Sequence, residues 1–211
     1  MNSYFGGAGK TFKKTRQMKK VFLMAVALMS MVTLQAQANK EEIAKSQERA
    51  AKLQKLCDGY NQKGCGNDKI DGYGKSMYDA AILAIANSTQ LENLYTRQIG
   101  ETKDGVTDVT VSKPSLDEWL TLAATITAEG VSVNEAVSKV NDASKEVKEM
   151  TESAGKEKNP MKAAKAAKSA KTATAVLEFG NAATPILVEE SAAQAKAVQQ
   201  IISTIKSGGN L

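Results

Sequence analysis

Apolar residues recur three and four positions apart through most of the chain after residue 39, which is the spacing of the buried face of an α-helix. Aromatic residues make up only 5% of the 211 residues, and alanine supplies much of the apolar surface. Small side chains favour closely approaching helices over a sheet with a bulky core. We therefore predict an all-α fold: a single bundle of five or six helices over residues 39–206, elongated in one variant of this prediction, with a disordered tail at 207–211.

Residues typical of helix starts divide this region into segments. The predicted helices begin at Asn39, Lys75, Ser115, Ser132, Asn159 and Thr184. The first helix ends near Cys57, and Gly130 and Gly155 end the third and the fourth. Pro185 leaves two alternatives, which are a separate last helix or a kink in one long helix over residues 160–206.

Two segments interrupt the helical pattern. Residues 58–74 are rich in glycine, asparagine and aspartate and are predicted to form a loop. From Tyr95 to Ser112, apolar residues alternate with polar ones on either side of Asp104-Gly105, which predicts a small β-hairpin. An extended loop is the alternative, because a lone two-stranded hairpin is only marginally stable.

The N-terminal region has the pattern of a secretory signal peptide. Lys19-Lys20 precedes an apolar run that reaches about Leu34, and Ala36-Gln37-Ala38 supplies small residues at the spacing that signal peptidase cuts. We predict a signal peptide over residues 18–38 that is cleaved after Ala38. Residues 1–17 are then an upstream extension from a misassigned start. The predicted location is the periplasm of a bacterium or the medium outside it.

Loss of this leader would change the charge of the protein. Six of the 28 basic residues precede Asn39 and none of the 23 acidic residues does, so the mature chain would keep 22 basic and 23 acidic groups. The pI of 9.0 is therefore a property of the leader. The mature chain gives no reason to expect a nucleic-acid partner.

Cys57 and Cys65 are the only cysteines of the chain. Export would place them in an oxidising compartment, where two cysteines more often form a disulfide than a redox or metal site. The spacing is also unlike the C-x-x-C motif of thiol-exchange proteins. We predict a disulfide that closes a short loop and stabilises the fold by roughly 2–3 kcal/mol.

Two helical surfaces are candidates for contact with a partner. The first is a heptad seam of the coiled-coil type, with apolar residues spaced alternately three and four apart. Its residues are Val133, Ala136, Val140, Ala143, Val147 and Met150. The second is a lysine array separated by small residues, formed by Lys162, Lys165, Lys168 and Lys171. The array could bind an anionic surface, although a solvated face of an alanine-rich helix is the simpler interpretation.

The chain contains no histidine, which excludes Ser-His-Asp and Cys-His nucleophiles and the usual zinc ligands. We expect no catalytic residues, no metal site and no cofactor. Paired carboxylates remain compatible with glycoside hydrolysis. However, Asp117, Glu118, Glu189 and Glu190 fall in the first turns of predicted helices, where acids stabilise the helix dipole.

These observations favour an exported, non-enzymatic helical bundle that acts as a protein-interaction or assembly module of the bacterial envelope, with a protein partner or a second copy of itself. The first alternative is a membrane-active protein that binds lipid or forms pores, for which the lysine array and an apolar second helix are the signals. The second alternative is a carboxylate-based hydrolase, which would need two acids from different helices to converge in a cleft.

Overall fold

The computed structural model describes residues 36–100 and 112–208, with side chains from residue 39 onward, and all regular secondary structure in these ranges is helical. The helices are α1 (Ala36–Gly59), α2 (Asp68–Ile99), α3 (Leu116–Ser138), α4 (Val140–Lys156) and α5 (Pro160–Lys206). The predicted all-α fold is confirmed. Only Lys139 separates α3 from α4, so these two count as one interrupted helix. Counted in this way, the described residues contain four helices, and the predicted number of five or six is not confirmed.

Two of the predicted helix starts are confirmed in atomic detail. At Ser115, the hydroxyl accepts a hydrogen bond from the amide of Glu118 at 3.2 Å, and the Glu118 carboxylate accepts one from the amide of Ser115 at 2.8 Å. At Asn159, the side chain accepts from the amides of Met161 and Lys162, and Pro160 occupies the first turn. In both places, a short-range side-chain contact with the backbone defines the helix start.

The structure corrects the two predicted interruptions of the helical pattern. The loop near residues 58–74 is shorter, because the Asn67 side chain accepts hydrogen bonds from the amides of Lys69 and Ile70 and starts α2 at Asp68. The predicted hairpin fails at its start, since α2 continues from Tyr95 to Ile99 and ends at Gly100 with a φ of 73°. Residues 101–111, which hold the rest of the predicted hairpin, lie outside the described residues.

Two helix boundaries also differ from prediction, and of the two alternatives at Pro185 the single long helix is the one observed. Gly130 does not end a helix, and the helix start predicted at Ser132 is not used, because α3 continues to Ser138. A Cβ at Gly130 would lie 3.1 Å from the Ser191 hydroxyl, so this glycine allows α3 and α5 to approach closely. Pro185 lies inside α5, which is one helix of 47 residues. Asn39 is buried within α1 rather than capping it.

The predicted leader and most of the predicted tail lie outside the described residues. Residues 1–35, which hold the predicted upstream extension and most of the predicted signal peptide, lie outside the described residues. In the predicted tail, Ser207 is the C-cap of α5, and residues 209–211 lie outside the described residues. The predicted boundaries at residues 17, 38 and 206 therefore stay predictions.

The buried apolar side chains form two clusters at different heights of the bundle. The Met77 cluster is centred on Leu53, Tyr73, Met77, Val133, Val147 and Leu187. The Trp119 cluster is centred on Ile43, Leu91, Trp119, Ile126, Val198 and Ile201. From the first to the last residue of each helix, α1 and α3 pass from the Trp119 cluster to the Met77 cluster, and α2 and α5 pass in the opposite direction. The bundle is therefore antiparallel.

Candidate functional site: a buried polar layer

A layer of buried polar side chains separates the two apolar clusters. Its members are Ser46 and Arg49 of α1, Asn87 and Ser88 of α2, Glu129 of α3, and Glu190 and Gln194 of α5. On every one of these helices, the polar residues follow the last residue of one cluster and precede the first residue of the other. The polar layer is thus a cross-section of the bundle, and its groups must find hydrogen-bond partners inside the protein.

Glu190 is the centre of this network and has no exposed surface. Its carboxylate accepts hydrogen bonds from the Ser46 hydroxyl and the Arg49 guanidinium of α1. It accepts another from Gln194 Nε2 at 2.6 Å. Arg49 reaches outward as well, to Glu42 at 2.7 Å. Burial raises the pKa of Glu190, while the hydrogen bonds from Ser46 and Arg49 act against that rise.

A chain of donors leads from the surface of α1 to Glu190. A serine hydroxyl has a single hydrogen to donate. Because Ser46 donates to Glu190, the contact of 2.8 Å between the Ser46 and Ser88 hydroxyls must have Ser88 as its donor. Ser88 in turn accepts from Gln47 Nε2 at 3.1 Å. The direction of every hydrogen bond in this chain is therefore fixed, and it joins α1, α2 and α5.

Glu129 is the second buried carboxyl group, and α3 supplies it. It has no exposed surface, and its Oε2 accepts a hydrogen bond of 2.7 Å from Asn87 Nδ2. Burial raises the pKa of Glu129 to about 7; the Asn87 hydrogen bond acts against this, and the charge of Glu190 adds to it. Glu129 therefore titrates near neutral pH, far above an ordinary glutamate.

Two oxygen atoms of the polar layer have no hydrogen-bond partner within the described residues, namely Glu129 Oε1 and Gln194 Oε1. Both hydrogens of the Gln194 amide are in use, one on Glu190 and one on the Ala84 carbonyl at 3.1 Å. Both unpaired atoms are acceptors when Glu129 is ionised. A proton on Glu129 converts one acceptor into a donor, so the neutral acid suits this environment better.

The polar layer meets one chemical requirement of the carboxylate hydrolase considered above, because Glu129 and Glu190 come from different helices and their charges interact. It lacks the other requirement, which is access, since neither side chain has exposed surface. Among the described side chains, no three His, Cys, Asp or Glu residues are grouped as a metal site would need. The arrangement holds four helices in one alignment, and we assign no catalytic step to it.

The predicted heptad seam lies inside the bundle. Val133, Ala136, Ala143 and Val147 are buried in the Met77 cluster, and Val140 and Met150 pack against it. Lys139 interrupts the seam at its centre, where α3 ends and α4 begins. The seam therefore packs helices of the same chain together, and its surface is already occupied in this fold.

The lysine array lies on the exposed side of the first half of α5, where all four lysines are solvent-exposed. Next to it, α4 and α5 leave an open groove with a volume of about 370 Å³. The groove is lined by Thr151, Ala154, Gly155, Ala167, Ala170, Lys171 and Thr174. Apart from Lys171 these side chains are small and uncharged, so the only acid, base or nucleophile among the lining residues is Lys171 or a threonine hydroxyl.

Cys57 and Cys65 are both buried in the Met77 cluster and are free thiols in this structure. Burial raises the pKa of each thiol, which reduces the fraction of reactive thiolate. The Asp71 carboxylate accepts hydrogen bonds from the amides of Cys65 and Gly66, at 2.8 and 3.1 Å, and holds the loop around the second thiol. The disulfide stays a prediction.

The two buried glutamates were not predicted, although the sequence carries a signal for them. On α5, buried residues alternate four and three apart, and this series contains Glu190 and Gln194 together with Leu187 and Ala197. On α3, Glu129 falls into the same kind of series. An acidic residue at the spacing of the apolar face of a helix is the sequence pattern that indicates both buried glutamates.

The comparisons with protein-family models, curated protein sequences and solved structures find no significant match to this chain. The fold and the contacts described above are therefore the basis for any functional argument. In residues 36–100 and 112–208, no helix combines the length and the apolar character needed to cross a membrane.

Proposed function

We propose that this protein is an exported, non-enzymatic helical bundle that acts as an assembly module of the bacterial envelope. The observation that carries the proposal is an exposed, uncharged stripe on α3. Its residues are Leu120, Ala124, Thr127 and Val131. They are spaced four, three and four apart, as in a helix seam that packs against another helix. Leu120 is 42% exposed and Val131 is 53% exposed, so both ends of the stripe present apolar surface to solvent.

The charge pattern of α3 supports this use of the stripe. No charged residue occurs between Glu118 and Glu129, although half of that stretch faces solvent. Solvent-facing positions of a helix are ordinarily rich in charge, and depletion of charge is characteristic of the centre of an interface. The α3 stripe is thus a better candidate for contact with a partner than the seam buried in the Met77 cluster.

The order of residue sizes along the stripe favours a second copy of this chain as the partner. The two larger residues, Leu120 and Val131, are at the ends, and the smaller Ala124 and Thr127 are in the middle. In an antiparallel pair related by a two-fold axis, each leucine would face a valine and each alanine a threonine. The small residues would let the helices approach at the centre. Such an interface is limited in area, so we expect weak, concentration-dependent association.

Light scattering after size-exclusion chromatography tests this proposal over a range of protein concentrations. The natural protein is expected to shift toward a dimer as the concentration rises. The double variant Leu120→Lys/Val131→Lys is expected to remain monomeric, because it places four like charges in the interface. Ile82→Lys is the matched control, since Ile82 is exposed to a similar degree, 41%, on α2. A natural protein that stays monomeric throughout would refute the proposed self-assembly.

Export is the other half of the proposal, and mass spectrometry of the protein from its native host tests it. The expected mass is that of a chain that begins at Asn39, reduced by two hydrogens for a bond between Cys57 and Cys65. Alkylation before and after reduction would count the thiols. A retained N-terminal segment together with two free thiols would contradict export.

A further inference from the structure

The end of the α4–α5 hairpin concentrates positive charge. No residue of α4 after Val147 and none of α5 before Ala170 is buried, and residues 148–169 are here named the hairpin tip. From Ser153 to Leu177, the chain contains six lysines and one acid. The lysines are Lys156, Lys158, Lys162, Lys165, Lys168 and Lys171, and all are exposed. Their charges add up at one end of the helical bundle formed by the described residues.

Three lysines in the first turns of α5 are also free to meet an external anion. None of the ion pairs among the described residues involves Lys162, Lys165 or Lys168. The one acid in this stretch, Glu157, accepts a hydrogen bond of 2.9 Å from the amide of Asn159 within the connecting turn. These three lysines therefore have no ion-pair partner within the described residues. The hairpin tip as a whole has six lysines against Glu149, Glu152 and Glu157, and keeps a net charge of +3.

An exposed apolar side chain lies at the same place. Met161 is 86% exposed, the highest value among the large apolar residues that are solvent-exposed in the described ranges. It directly follows Pro160, the first residue of α5, and is flanked by Lys158 and Lys162. A flexible apolar side chain surrounded by lysines combines the two attractions that bring a protein to the surface of an anionic bilayer.

We propose that the hairpin tip docks end-on against an anionic phospholipid surface, with Met161 entering the headgroup region and the surrounding lysines contacting lipid phosphates. This inference goes beyond the proposed self-assembly through α3 and does not depend on it. The hairpin would contact the bilayer surface without crossing the membrane.

The shape of the tip favours a lipid surface over an acidic protein. Lysines three residues apart step by 300° around a helix, so the array spreads over about half of the circumference of α5 instead of forming one flat face. A single rigid partner could meet only part of such an array. A layer of mobile lipid headgroups can adjust to a convex tip and reach charges on several of its sides.

End-on docking predicts a gradient along α5. With a rise of about 1.5 Å per residue, Lys162 lies next to Met161, whereas Lys171 is about 15 Å further along the helix. Attraction to a charged surface decays over a Debye length of about 8 Å at physiological salt. Lys162→Gln is therefore expected to weaken vesicle binding about fivefold, the effect of one lysine close to an anionic surface, and Lys171→Gln is expected to have little effect.

Co-sedimentation with vesicles tests this inference. The natural protein is expected to bind vesicles of phosphatidylcholine mixed with phosphatidylglycerol and not to bind vesicles of phosphatidylcholine alone. It is expected to dissociate from the anionic vesicles as the salt concentration rises. Lys162→Glu/Lys165→Glu is expected to weaken binding by about tenfold or more. The matched control is Lys196→Glu/Lys206→Glu, which reverses two exposed charges at the other end of α5. All substituted residues are exposed, and circular dichroism would verify that the variants fold.

Four outcomes would overturn the inference: no binding to the anionic vesicles, equal loss in the tip variant and the control, equal effects of Lys162→Gln and Lys171→Gln, or binding to polyglutamate but not to vesicles. The last of these would assign the tip to an acidic protein. None of them bears on dimerisation through α3, because the Leu120→Lys/Val131→Lys variant leaves the hairpin tip unchanged.

Discussion

The ring of Tyr73 on α2 packs directly against Gly180 on α5 and occupies the space that a side chain at that position would need. A Cβ at Gly180 would lie 2.7 Å from Cε1 of this ring. The next residue of α2 repeats the arrangement in reverse, because a Cβ at Gly74 would lie 2.7 Å from Val176 Cγ1 on α5. Each of the two helices thus supplies one glycine, and together these glycines allow the close approach of α2 and α5.

Gly180→Ala is therefore expected to destabilise the protein, even though alanine is the better helix former. The added methyl group would force the buried Tyr73 ring or the helix axis to move, at a cost of about 1–3 kcal/mol in the free energy of unfolding. Urea denaturation followed by circular dichroism measures this change. The matched control is Gly72→Ala on α2, where a Cβ would meet nothing within 4 Å.

The control substitution Gly72→Ala should change the free energy of unfolding in the opposite direction. There is no steric conflict at Gly72, and alanine lowers the backbone entropy of the unfolded chain. The free energy of unfolding is therefore expected to rise by roughly 0.5–1 kcal/mol. If both substitutions stabilise the protein, the contact between Tyr73 and Gly180 does not limit how α2 and α5 pack.

These glycines also show what could be predicted from the sequence and what could not. The sequence predicts the helix caps Asn159 and Ser115 correctly, because a cap is a contact between a side chain and the backbone two or three residues away. The sequence predicts a helix end at Gly130, whereas the role of this glycine depends on Ser191, which lies on another helix. A single sequence carries the short-range signal but not the long-range contact that overrides it.

The polar layer was missed for a related reason. The distance from Pro185 predicts that Glu190 is an acid in the first turns of a helix, although α5 runs through that proline without ending. Its charged partner, Arg49, is 141 residues away. The position of Glu190 in the apolar series of α5 could have indicated that it is buried. Its partners could not be predicted without the fold.

Glu129 is expected to make the stability of the protein depend on pH. Its pKa is about 7 in the folded state, against about 4.3 for an unfolded glutamate. The folded state therefore binds the proton more tightly, so stability is greatest at the acidic end of this interval and falls as the pH rises toward 7. The difference between the two pKa values corresponds to a loss of at most about 3–4 kcal/mol in the free energy of unfolding across this pH interval.

The variant Glu129→Gln tests this linkage because glutamine resembles the neutral acid. Its oxygen can still accept the hydrogen bond from Asn87, and its side chain carries no charge that burial would penalise. We expect the variant to be more stable than the natural protein at pH 8 and to lose most of the pH dependence between 4.5 and 7. Glu135→Gln, an exposed substitution on the same helix, is the control. Parallel pH profiles for the natural protein and Glu129→Gln would show that Glu129 is not the group responsible.

The ion pair between Arg49 and Glu190 supports a prediction about cooperativity. Arg49 is only 7% exposed and Glu190 is not exposed at all, so removing either partner leaves the other charge buried without its main counterion. Arg49→Met and Glu190→Leu are each expected to lower the free energy of unfolding by about 3–5 kcal/mol. The double variant should lower the free energy of unfolding by much less than the sum of the two single losses, because it removes both charges and the free-energy cost of desolvating them.

Lys145 and Glu149 provide the matched comparison, since they form an exposed pair one helical turn apart at 3.8 Å. The same cycle of single and double substitutions there should give a coupling energy of about 0.3–0.5 kcal/mol. Urea denaturation of all variants at one pH supplies both cycles. Additive losses at Arg49 and Glu190 would mean that Ser46 and Gln194, which contact the same carboxylate, hold Glu190 in the bundle without help from the arginine.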